Sequence, residues 1–157
     1  MAKKKSARLA ILAAASVLAA GCSAMNSGDG GGTVTLSFAN SYTTEHPHTR
    51  CGIQVAADKV NGQALGVKIE TFPNSQLGND ATRFTSVKSG DLDMDVQGSS
   101  ALAGSHAPIG VLDMAYAFDG PDHLFSFFDG ERGERLKNEF AEATGTRVLD
   151  VWFFGMR

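Results

Sequence analysis

Between Thr33 and Gln97 the hydrophobic period switches repeatedly between two and about 3.6 residues, and few folds accommodate that alternation. "TVTLSFAN" carries Val34, Leu36 and Phe38 at period two and ends at Asn40. "EHPHTRCGIQVAADKVNG" then places Ile53, Ala56, Ala57 and Val60 at helical spacing. Pro47 suits the first turn of that helix, where a missing N–H leaves no bond unmade. Gly62 or Gly66 is expected to end it. "VKIETF" is a short strand stopped by Pro73 and Asn74. Asn79 or Asp80 can cap the next helix, "ATRFTSVKS", with Phe84 and Val87 turned inward and Gly90 as its C-cap. "LDMDVQ" is the third strand. Strand–helix–strand–helix–strand with short links predicts an α/β fold: a mostly parallel sheet, right-handed crossovers and flanking helices.

Beyond Gln97 the pattern is apolar and less regular. A short helix is expected near Ser100–Gly104 and a loop or strand near Val111–Phe118. Asp119 and Pro121 open a further helix. "ERGERLKNEFAEATG" is another, with Leu136, Phe140 and Ala143 on one face and Gly145 at its end. "RVLDVWFF" reads as a last, buried strand, after which the sequence stops at Arg157. A buried strand followed at once by the terminus predicts a truncated chain, either a fragment or the product of a broken reading frame.

The N-terminus stands apart. Residues 1–22 have a basic start (Lys3, Lys4, Lys5, Arg8), an apolar run from Leu9 to Ala20 and small residues before Cys22, the layout of an export signal. The apolar run is shorter than the ~20 residues a membrane-spanning helix needs. "LAAGC" resembles the lipobox of bacterial lipoproteins, which makes Cys22 the expected lipidation site and places the protein in the periplasm or on the outer face of the cell membrane. An ordinary cleaved signal with an incidental Cys is the plainer alternative. Residues 23–32, "SAMNSGDGGG", are small and polar and read as a flexible tether. The folded part is therefore expected over residues 33–157. Removing four basic residues of the signal from 14 cations leaves 10 against 17 acids, a net charge of −7. That excludes a nucleic-acid partner, which wants a basic face, and electrostatic adhesion to anionic lipid. With Cys22 lipidated, Cys51 has no disulfide partner and is expected as a small, buried or half-buried thiol.

Open parallel sheets bind ligands outside the carboxyl ends of their strands. Those ends offer Asn40, Ser41 and Tyr42, then Pro73 and Asn74, then Gln97, Gly98 and Ser99, then Gly155, Met156 and Arg157. Amides and hydroxyls around one guanidinium suit a small anion, and a planar fork of donors matches a carboxylate. A surface Arg at a frayed end is the plainer reading of Arg157. No catalytic, metal or cofactor set emerges. Asp91, Asp93 and Asp95 copy the start of a calcium loop, but Val96 and Leu102 stand where it needs Gly and Glu. His46, His48 and Cys51 match no ligand spacing. Ser105 and His106 are neighbours in sequence without a G-x-S-x-G elbow.

Phe72-Pro73, Gln76-Leu77-Gly78 and Gly90-Asp91-Leu92-Asp93, with "HP" before the first long helix and a late G-x-R, resemble the solute-binding proteins of TRAP (tripartite ATP-independent periplasmic) transporters. The resemblance runs from Thr33 to Arg157. It implies one lobe of a two-lobed receptor, without enzymatic activity, that closes around an organic acid and delivers it to integral membrane permease subunits. It further implies that Arg157 clamps the carboxylate, that Asn40 follows the first strand into the cleft, and that Gln97 to Ser99 make polar contacts there. Two alternatives stand beside it: a receptor for an ATP-driven importer or sensor, and a secreted hydrolase built on Ser105 and His106.

Overall fold

The computed structural model describes residues 32–155. The expected signal with Cys22, residues 23–31 of the expected tether, and Arg157 lie outside the described residues. Three strands, β1 (Val34–Asn40), β2 (Val67–Phe72) and β3 (Met94–Val96), form one parallel sheet in the order β2-β1-β3. β1 runs beside β2 from Val34↔Val67 to Ala39↔Phe72, and beside β3 from Phe38↔Met94 to Asn40↔Val96. The chain leaves β1 through a π-helical turn (His48–Ile53) that continues into α1 (Gln54–Asn61). It then crosses from β2 to β3 through α2 (Asp80–Ser89). The sequence steps outward from β1 in one direction and back past it in the other. Right-handed crossovers therefore put α1 and α2 on opposite faces. Ala39 and Asn40 are both fully buried, so the C-terminal end of β1 is covered on both faces, while Val34 at its other end is 57% exposed.

The helix ends follow from local chemistry. Asn79 caps α2 by accepting from Thr82 N at 2.9 Å, and Gly90 closes it in the left-handed conformation at φ 83°. α3 (Ser99–Leu102), a 3₁₀ turn (Ala107–Asp113), α4 (Pro121–Asp129) and α5 (Glu131–Thr144) complete the described chain. Phe84 of α2, Ile109 of the 3₁₀ turn, and Leu136 and Phe140 of α5 form a buried apolar cluster.

Four expectations give way. Residues 111–113 belong to the 3₁₀ turn rather than to a loop or strand, with Pro108 near its start supplying a fixed φ. Ala143 is exposed, so the buried stripe of α5 is narrower than its sequence pattern. Cys51 is exposed, because the π-helical turn rotates it outward while Thr49 and Ile53 take the buried positions. The segment 147–154 is not a strand. Apolar alternation makes a strand only where a neighbour supplies a ladder, and no described strand pairs with it. Leu149 is 76% and Phe154 50% exposed, while Trp152 and Phe153 are half-buried.

Trp152 is held by an absence. A Cβ on Gly52 would lie 2.8 Å from Cη2 and Cζ3 of the indole, so the ring occupies the space a side chain would fill. Gly52→Ala is expected to cost ~1–3 kcal/mol through overpacking and to push the ring outward. Because the chain has one Trp, its fluorescence emission should shift to longer wavelength. Emission unchanged from the parent would show that the ring does not rest there.

Candidate functional site at the strand ends

The site is built where β1, β2 and β3 stop. Asn40 ends β1 with no exposed surface. Its Oδ1 accepts from Tyr42 N at 2.8 Å and from the Thr49 hydroxyl at 3.2 Å. These bonds orient the amide and leave Nδ2 buried without a hydrogen-bond partner among the described residues. Two main-chain bonds stitch the loop after β1 to the loop after β2: Ser75 N donates to Asn40 O at 3.0 Å, and Asn74 N to Tyr42 O at 2.8 Å. The second loop turns sharply, with Asn74 and Ser75 both left-handed at φ 57° and 54°. Asn tolerates that region and Ser does so at a cost, a kind of strain that recurs at binding sites.

Gln97 follows Val96, the partner of Asn40 across the ladder, and Ser99 opens α3. Gln97 Oε1 and Ser99 Oγ are also buried and unpartnered among the described residues. An unpaired buried polar atom costs ~1–3 kcal/mol, so three of them at one edge of a sheet require an explanation. Of the five residues read from sequence as ligand contacts, Asn40 and Tyr42 are bonded to each other. Gln97 and Ser99 follow the adjacent strand.

Tyr42 belongs to a ring cluster that the sequence reading did not foresee. Its ring stacks on His46 at 4.4 Å between centroids, and Phe154 lies 5.7 Å from both. His48 stands edge-on to Tyr42, Phe154 and Trp152. The segment 152–154, which lacks a ladder, is thus held over the end of β1 by rings. Ser105 and His106 lie in the link between α3 and the 3₁₀ turn, with the His106 ring against Phe140.

The sequence reading also passed over Arg83. It is fully buried on α2 and donates to Asp95 Oδ1 (Nε, 2.8 Å), Gly78 O (Nη1, 2.7 Å), and Ser41 Oγ and Asp80 Oδ1 (Nη2, 2.9 and 2.6 Å). Burial alone would lower the guanidinium pKa, but the bonds to Asp95 and Asp80 outweigh it and hold the value above the ordinary one. Burial would raise Asp80, yet the Ser41 and Arg83 bonds bring its carboxyl below the usual range. At Asp95 burial wins over Arg83 and the pKa is raised. That fits its environment, because Asp95 Oδ2 is buried with no partner among the described residues. The available signal was Asp80 three residues before Arg83 on the same helical face.

A cavity of ≈ 60 Å³ lies between residues 112–118 and 152–155, lined by Leu112, Asp113, Trp152 and Phe154 among others. A small-molecule pocket occupies roughly 300 Å³ or more, so this cavity does not enclose a solute. A larger open groove of ≈ 330 Å³ is lined from the 3₁₀ turn, α4 and α5, by residues that include Val111, Phe127 and Leu136, and takes none from the strand ends. No helix among the described residues is long and apolar enough to cross a membrane.

Residues 39–157 match the model of the bacterial extracellular solute-binding proteins, family 7. The chain belongs to this family. Among its relatives is the 2,3-diketo-L-gulonate-binding periplasmic protein YiaO of Escherichia coli, 34% identical over 91 residues, which cover 58% of this chain and 27% of that protein. Its fold matches a TRAP periplasmic solute-binding protein of Sulfurospirillum deleyianum solved with bound succinate, at a TM-score of 0.64 and 25% identity, covering 71% of this chain and 36% of that one. A TRAP periplasmic solute-binding protein of Xanthobacter autotrophicus with bound β-D-galacturonate gives a TM-score of 0.61 at 26% identity, covering 69% and 36%. The family 7 chain therefore spans roughly a third of the length of these receptors, and its mostly parallel sheet with flanking helices is part of their fold. The family is one of solute receptors rather than enzymes.

Proposed function

We propose that this chain serves in an extracytoplasmic receptor of a TRAP-type transporter, capturing a small carboxylate-bearing solute at the C-terminal ends of its strands and delivering it to integral membrane permease subunits. The observation that carries the reading is the wholly buried Asn40, whose Nδ2 has no partner among the described residues at the place where parallel sheets receive ligands. An amide donor oriented by Tyr42 N and Thr49 is suited to a carboxylate or hydroxyl oxygen. Tyr42, Gln97 and Ser99 would supply further polar contacts, and Arg157 the charge that fixes the carboxylate. The solutes bound by the two similar receptors, succinate and β-D-galacturonate, both carry carboxylates. Acylation at Cys22 would keep the receptor at the membrane surface; Cys22→Ser should then abolish incorporation of radiolabelled palmitate and release the protein from the membrane, and label retained by that variant would overturn the attachment.

Titration calorimetry of the chain with succinate, D-galacturonate, D-glucuronate and orotate tests the binding. One of these acids is expected to bind. Arg157→Ala should then cost ~2–3 kcal/mol, because a desolvated carboxylate loses its partner. Asn40→Asp, which keeps the shape and the Oδ1 acceptor but replaces the Nδ2 donor with an oxygen, should cost at least ~1–2 kcal/mol. Absence of binding by every acid, or an Arg157→Ala variant with undiminished affinity, would overturn the proposal.

A further inference from the structure

Arg83 reaches four acceptors in three stretches of chain that are separate in sequence: residue 41, residues 78–80 and residue 95. Ser41 lies between Asn40 and Tyr42 in the loop after β1. Gly78 closes the loop after β2. Asp80 stands in the first turn of α2, and Asp95 sits in β3 two residues before Gln97. Ser41 Oγ in turn donates to Asp80 Oδ1 and closes the ring of bonds. Each loop carrying a candidate solute contact is thereby bonded to one planar group. A guanidinium presents its N–H donors at fixed angles, so tying four acceptors to it fixes their relative placement as well as their separation. An ammonium can satisfy some of these acceptors but imposes no such geometry. Stability alone does not account for the arrangement, since buried ion pairs are often replaceable by apolar residues of similar volume at no cost.

We infer that Arg83 is the positioning residue of the solute site: it sets the spacing between the loop ends that carry Asn40, Tyr42 and Gln97 without itself touching solute. This rests on the receptor reading given above. The informative variant is the double replacement Arg83→Met with Asp95→Leu, which removes both halves of the buried pair and leaves Asp80, whose side chain is 43% exposed, to solvent. Its melting temperature is expected to stay close to the parent's, while affinity for whichever panel acid binds the parent falls at least about tenfold, a loss of roughly 1.4 kcal/mol. Affinity equal to the parent's in that variant would overturn the inference, since a purely structural role is restored together with stability. Arg83→Lys provides the same reading should the double variant fail to fold: charge is kept, the fork is lost, and an equal drop in affinity is expected. Where the parent binds no acid in the panel, the receptor reading falls and amide exchange decides the positioning claim separately. The amides of Tyr42, Asn74 and Ser75 should then exchange about tenfold faster in Arg83→Lys, with those of α5 unchanged. Unaltered exchange at these three amides would refute the clamp.

Discussion

Gly133→Ala is expected to destabilise the protein by about 3 kcal/mol, a large effect for one methyl group. In an ordinary helix the same change gains ~1 kcal/mol, because alanine is the better helix former. Here α4 and α5 are joined by Gly130 alone, and the corner brings the backbone of α4 against the first turn of α5. A Cβ on Gly133 would lie 2.2 Å from the carbonyl oxygen of Phe128 and 2.4 Å from that of Phe127. Main chain cannot swing aside as a side chain does, so the two helices must part. Phe128, Leu136 and Phe140 are buried near this corner and would lose contacts with it. Urea unfolding of parent and variant measures the difference directly. A variant as stable as the parent would show that the corner is more open than described.

The second large effect is expected at Asp95. Asp95→Ala should cost ~3–5 kcal/mol, because it leaves the buried Arg83 with Asp80 as its one remaining carboxylate partner. The pair itself contributes much less than this loss. Burial raises the Asp95 pKa despite the nearby guanidinium, so ionising Asp95 in the folded state costs more than Arg83 returns. Asp95→Asn keeps an acceptor for Arg83 Nε and should be far milder near neutral pH. Its signature lies in acid. A carboxyl whose folded pKa is raised adds stability below its unfolded value near 3.8, and loses that contribution as pH rises through the folded value. Asp80 and Asp93 are lowered and act the other way: their stabilisation is present above about 3.8 and is lost as pH falls through their folded values. Asp93 does so through bonds from Ser37 N and the Ser37 hydroxyl, each 2.8 Å. The parent gains that contribution as pH falls from the raised Asp95 value to about 3.8 and the Asp95→Asn variant does not, so over that interval the variant's unfolding free energy should drop relative to the parent's, with the gap then held at lower pH. Parallel curves would show that Asp95 is not held above its ordinary value.

The alternation of strand and helix was legible because one burial pattern dictates each element locally. The caps at Asn79 and Gly90 and the helix opened by Pro121 follow from residues within one or two turns of each other, and the parallel direction of the strands follows from the helices between them. What was not legible depended on partners distant in sequence. The segment 147–154 has a strand's composition, yet a strand needs a neighbour, and composition does not supply one. Cys51 turned outward because the helix begins with wider π turns, which shift every side chain relative to an α-helical projection. Arg83 was hidden for the opposite reason. A charged residue beside Phe84 reads as solvated, and only the meeting of Asp95, Gly78 and Ser41 around it makes burial affordable. The positions of Asn40 and Gln97 at the strand ends could be read from the strand pattern, whereas the Tyr42–His46–Phe154 cluster joins residues more than a hundred positions apart.

The bonds from Ser75 N to Asn40 O and from Asn74 N to Tyr42 O are made by main-chain atoms. Such bonds are indifferent to what side chain is attached. On the proposed reading, substitutions at positions 42, 97 or 99 would retune which acid is preferred while the frame beneath stays intact. A lineage of these receptors could diversify its diet by exchanging a handful of side chains, without rebuilding the scaffold that presents them.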